Sequence, residues 1–110
     1  MTDVLEQLTR VLEQRRSADP GESYVAQLHH RGLNRILEKV GEEATEVILA
    51  AKDVQGDQGK PALVGEVADL LFHCMVMLSH LDVDIDEVWE CLGERFGVSG
   101  LDEKAARDSD

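Results

Sequence analysis

Apolar residues return every three to four positions almost throughout the chain, and no stretch alternates convincingly with period two. This pattern predicts five helices. The first begins near Asp3, where Asp3 and Glu6 stand at capping-box spacing. It turns Val4, Leu5, Leu8, Val11 and Leu12 to one face and ends around Arg15 or Arg16. An Asp-Pro-Gly turn over 17–22 follows, and Ser23 can cap a short helix over 24–30 that Gly32 closes. A long third helix over 33–54 carries Leu33, Ile36, Leu37, Val40, Ala44, Val47, Ile48 and Ala51 as an apolar stripe. Gly56 and Gly59 mark a loop, and Pro61 fits the first turn of a fourth helix over 61–81. That helix is apolar on most of its circumference, as expected at the centre of a bundle. Asp84 and Glu87 repeat the capping-box spacing and open a fifth helix with Ile85, Val88, Trp89 and Leu92, which stops before Gly97. The polar tail over 101–110 is expected to fray.

Composition fits this all-α reading. The 110 residues suit one domain, 1–110, with one modest core. Hydrophobic residues make up 43% and aromatics only 4%, so the core must be aliphatic, which favours helix-on-helix packing. The formal charge of −12 repels nucleic-acid backbones and anionic lipid, excluding both as expected partners. Acids and histidines at Glu66, Asp69, His73 and His80 interrupt the longest apolar run, which therefore does not read as a membrane span. Met1 to Arg16 holds no uninterrupted apolar stretch of the kind a secretory signal needs, and a cytoplasmic location is the expectation. Cys74 and Cys91 lie within helical, mostly apolar patterns and are expected as buried free thiols.

The chemistry concentrates on the third and fourth helices. On a helical wheel Glu66, Asp69 and His73 fall within roughly 60°, a narrow polar seam on an otherwise apolar helix. Buried carboxylates without partners are costly, so this seam must face cations, water or a cavity. Glu42, Glu43 and Glu46 fall within about 100° on the third helix, with Arg35 and Lys39 on the same arc one or two turns earlier. Facing helices would place up to four carboxylates around one point. All-oxygen ligation of that kind suits Mg²⁺ or Mn²⁺, which keep waters and take phosphate oxygens. A spare carboxylate such as Glu42 could accept a proton from water. Arg35, Lys39 and Lys52 are the expected phosphate clamps, with His73 either beside them or a core histidine bonded to Asp69. Gly41 and Gly65 each precede the first acid of a cluster, which points to close helix approach or room for a ligand.

Two blocks now carry a resemblance. Lys39-Val-Gly-Glu-Glu-Ala-Thr-Glu-Val-Ile-Leu-Ala-Ala-Lys52, followed by Leu63-Val-Gly-Glu-Val-Ala-Asp-Leu-Leu-Phe-His73, resembles the phosphoribosyl-ATP pyrophosphatases of histidine biosynthesis. Ser23-Tyr24, Gly32-Leu33 and the stretch from Asp86 through Arg95 to Leu101 match the same pattern. The wider group is the all-α, MazG-like nucleotide pyrophosphohydrolases. The resemblance implies hydrolysis of phosphoribosyl-ATP to phosphoribosyl-AMP and pyrophosphate, the second step of L-histidine biosynthesis. It further implies Glu43, Glu46, Glu66 and Asp69 as magnesium ligands, Glu42 as an outer or proton-accepting group, and a homodimer that completes a four-helix core. Phe72 and Cys74 depart from the family's more frequent Tyr and Leu and leave the acidic blocks intact.

Competing expectations are a MazG-like hydrolase of (deoxy)nucleoside triphosphates and a non-catalytic acidic helical module. A di-iron bundle would need Glu-x-x-His pairs; the chain contains none.

Overall fold

The computed structural model describes residues 2–97, and within them all regular structure is helical. Five helices follow in order: α1 (Thr2–Arg16), α2 (Tyr24–Arg31), α3 (Leu33–Lys52), α4 (Lys60–His80) and α5 (Ile85–Phe96). The side chain of Asp3 and the tail over 98–110 lie outside the described residues, so the first capping box and the fraying tail are not addressed.

Local chemistry sets the boundaries. The Ser23 hydroxyl accepts a hydrogen bond from the Ala26 N–H at 3.2 Å and so caps α2. The Asp84–Glu87 capping box is formed in full: Asp84 accepts from the Asp86 N–H, and Glu87 accepts from the Asp84 N–H. Between α3 and α4 the chain reverses through reciprocal backbone bonds of Gln55 and Gln58, at 3.0 and 2.9 Å. Gly59 then takes φ 87°, and a Cβ there would stand 3.3 Å from the Asp53 carbonyl, so the reversal requires glycine. This short link packs α3 and α4 side by side along their length, the main packing of the chain.

The core lies at one end of that hairpin, where α1 and α2 cross it. It comprises Leu12 of α1, Val25 and Leu28 of α2, Ile36 of α3, and Met75 and Val76 of α4. Arg16 closes this end, donating to the Ser79 carbonyl at 2.7 Å and to Asp82 at 3.0 Å. Contrary to the expectation of a bundle centre, α4 buries only His73, Met75 and Val76 within one chain. Its apolar circumference is wider than a single neighbour, α3, can cover. Cys91 also departs from expectation: it is exposed on α5, whereas Cys74 is half-buried and burial raises its thiol pKa.

Two histidines form a pair at the same end. His29 and His80 stack at 5.1 Å, and one Nδ1 donates to the other at 2.9 Å. Burial lowers the His29 pKa, and the positive charge of Arg16 and His80 lowers it further against an opposing pull from Glu13. The unfolded chain therefore takes up a proton near pH 6.5 that the folded chain resists. Stability is complete above that pH and declines as pH falls below it. Urea midpoints between pH 7.5 and 5 are expected to drop more in the wild type than in His29→Gln. Parallel curves for the two proteins would show that the pair does not govern this step.

Candidate active site

α3 and α4 meet with their acidic seams facing. Carboxylate oxygens of Glu43, Glu46 and Glu66 lie within 4.8 Å of one another. Glu43 is only 6% exposed, although it is a charged residue. One carboxylate oxygen of Glu43 and one of Glu66 are buried and have no hydrogen-bond partner. Three carboxylates this close repel by an order of 3 kcal/mol per charged pair at an effective dielectric of 20. Orphaned, convergent, all-oxygen donors are the arrangement a hard divalent cation fits.

The other expected residues surround this point unequally. Asp69 lies one turn beyond Glu66 on α4; its carboxylate is exposed and does not join the group of three. Glu42 faces outward and is held by cations, 3.0 Å from the Lys39 ammonium and 3.8 Å from the Arg35 guanidinium. The hydrogen bond from Lys39 holds the Glu42 carboxyl below its usual range, and Glu42 in turn raises Lys39. Lys39 also reaches within 3.6 Å of Glu43, so it bridges the rim to the buried acid. Arg35 makes a further pair with Glu38 at 3.0 Å. Lys52 is exposed at the C-terminal end of α3, six residues or roughly 9 Å of helix past Glu46.

His73 proves to be a core histidine. It is 5% exposed, and both ring nitrogens are engaged. Nδ1 lies 2.8 Å from the Asp69 carbonyl oxygen, which can only accept, so Nδ1 carries the proton. In the tautomer with that single proton, Nε2 accepts from the Tyr24 hydroxyl at 2.9 Å. Its bond is to the backbone of Asp69 and not to its carboxylate, and no ring nitrogen is left free for a substrate phosphate. The Tyr24–His73 link joins α2 to α4, and neither residue's spacing along the chain announces it. Gly41 and Gly65 have open space where a Cβ would stand, so they do not serve close approach within this chain.

A helical hairpin that brings Glu43, Glu46 and Glu66 to one cation-ready point defines an all-α protein of the kind that handles phosphate through a divalent ion, consistent with the MazG-like resemblance. The phosphoribosyl-ATP pyrophosphohydrolase family model matches residues 5–96. Proteins named phosphoribosyl-ATP pyrophosphatase from Burkholderia cenocepacia and Burkholderia vietnamiensis are each 53% identical over 105 residues, covering 96% of this chain and 87% of the relative. The chain belongs to the phosphoribosyl-ATP pyrophosphohydrolase family.

Proposed function

We propose that this protein hydrolyses phosphoribosyl-ATP to phosphoribosyl-AMP and pyrophosphate, the second step of L-histidine biosynthesis, with Mg²⁺ held by Glu43, Glu46, Glu66 and Asp69. The observation that carries the reading is the pair of buried, partnerless oxygens on Glu43 and Glu66, two acids whose carboxylates converge with that of Glu46. When bound, the divalent ion neutralises phosphate charge and supplies an activated water, and Mn²⁺ can substitute for Mg²⁺.

The chain's own residues do the rest. Asp69, one turn beyond Glu66 and exposed, would turn its carboxylate toward the ion to complete the ligand set. Lys39 and Arg35 stand at the rim, where they meet phosphate oxygens arriving at a chain of net charge −12. Glu42 holds those two cations in place. Its lowered pKa makes it a weaker proton acceptor than an unpaired carboxylate, so orientation of the clamp is its larger part. Lys52, exposed at the C-terminal end of α3, is a further cation for phosphate.

The active form is a homodimer located in the cytoplasm. The support for the dimer is the apolar surface that one chain leaves uncovered on α3 and α4, where Ile48 is 60% and Val64 68% exposed. Pairing two α3–α4 hairpins would complete a four-helix core.

The test is pyrophosphate release from phosphoribosyl-ATP beside a panel of deoxynucleoside triphosphates, with Mg²⁺ and with EDTA. Turnover of phosphoribosyl-ATP is expected to exceed that of every triphosphate and to vanish with EDTA. Equal or faster turnover of the triphosphates would overturn the substrate assignment.

A further inference from the structure

Tyr24 is oriented the opposite way from an ordinary surface tyrosine. A half-exposed tyrosine usually buries its ring and leaves its hydroxyl in water. Here the residue is 47% exposed, yet the hydroxyl turns inward to Nε2 of the buried His73. Phe72 packs along the ring at 6.1 Å and 20° between planes, and His73 meets it edge-on at 5.8 Å. The ring is therefore fixed at its polar end and along one side, and what remains in solvent is aromatic surface.

The hydroxyl ties this surface to the helix that carries Glu66. His73 lies seven residues beyond Glu66 on α4, a rise of about 10 Å. That is on the scale of the distance from a nucleotide's base to its phosphoanhydride. Other aromatic rings are less well placed. Phe72 is half-buried beside Tyr24, Trp89 borders a cleft with Leu5 and Thr9 of α1, and Phe96 ends α5.

We propose that the exposed surface of Tyr24 is the platform on which the purine base of the substrate stacks, with His73 as the positioning residue that holds the ring. The proposal deepens the functional reading above and rests on it for the identity of the substrate. Stacking tolerates any base with a π-face and needs no hydrogen bond from the ring, so locking the hydroxyl inward sacrifices nothing. A fixed ring also loses no rotamer freedom when the base arrives.

The experiment combines steady-state kinetics on phosphoribosyl-ATP with proton NMR of AMP added to the protein in Mg²⁺. Tyr24→Ala and Tyr24→Leu are expected to raise KM about 5- to 150-fold, the range for one stacked base, with the loss falling on KM rather than kcat. Tyr24→Phe restores KM to within a few-fold of wild type, because the ring remains. Adenine H2 and H8 of AMP are expected to move upfield on wild type and on Tyr24→Phe, and to stay at their free positions on Tyr24→Leu. His73→Gln raises KM less than Tyr24→Ala does, and adds nothing to it in the double variant. Unchanged KM and unchanged AMP shifts in folded Tyr24→Leu would overturn the proposal, as would a loss confined to kcat. Should the wild type fail to hydrolyse phosphoribosyl-ATP, the functional reading fails, and the AMP shifts still decide whether Tyr24 stacks a base.

Discussion

Replacing Glu66 by Gln is expected to lower kcat/KM for phosphoribosyl-ATP by at least about a thousandfold, roughly 4 kcal/mol of transition-state stabilisation. The substitution keeps the shape of the side chain and removes the negative charge that faces Glu43 and Glu46. Without divalent ion the variant should be more stable than the wild type, because one of three mutually repelling carboxylates is gone. With Mg²⁺ the order reverses. The wild type gains thermal stability through binding linkage and the variant gains little. Glu43→Gln should behave alike, since its second oxygen is also buried without a partner. Melting curves in EDTA and in Mg²⁺, read beside the turnover assay, separate lost chemistry from lost folding. An acidic module without catalysis would show equal melting temperatures in the two buffers. If Glu66→Gln retains turnover, the carboxylate site is wrong.

A charge placed on the open hairpin surface is expected to have the second large effect. Among the described residues one chain buries only Leu12, Val25, Ala26, Leu28, Ile36, Met75 and Val76 as apolar core. Leu37, Ile48, Leu49, Val64, Val67 and Leu71 of the same two helices stay exposed. A small domain with so short a core depends on further burial for stability. Val64→Asp would place an unpaired carboxylate in the proposed interface, at a cost of several kcal/mol if buried. The wild type is expected to run in light scattering at twice its 12.2 kDa chain mass, with a melting temperature that rises with concentration. Val64→Asp should run as a monomer that melts several degrees lower. A wild-type monomer, or a dimer untouched by the substitution, would remove dimerisation from the reading.

How far these features can be read from residues alone depends on the range of the interaction involved. Helix identity and most helix ends are local matters. Ser23 caps α2, Asp84 and Glu87 close their box, and Gly59 with Pro61 turns α3 into α4, each acting within a few positions of itself. The acidic spacing also fixes which carboxylates share a face, because the helical repeat is invariant. Position along the chain therefore predicts five helices, two facing seams and, through the resemblance, the family.

Other features are set across space. Glu66 turns into the cluster with Glu43 and Glu46 while Asp69, one turn on, stays in solvent, a choice made by how α4 sits against α3. His73 could have paired with a phosphate or with the Asp69 carboxylate; the packing of α2 brings the Tyr24 hydroxyl to it instead. His29 and His80 were 51 positions apart in the chain before the crossing of α2 and α4 put their rings in contact. Hydropathy gave α4 the profile of a bundle centre, but one chain lacks the neighbouring helices that would surround it. Periodicity reports which side of a helix is apolar and where its charges line up. Which partner meets that side is decided by the joint packing of all the helices, and no single segment encodes it.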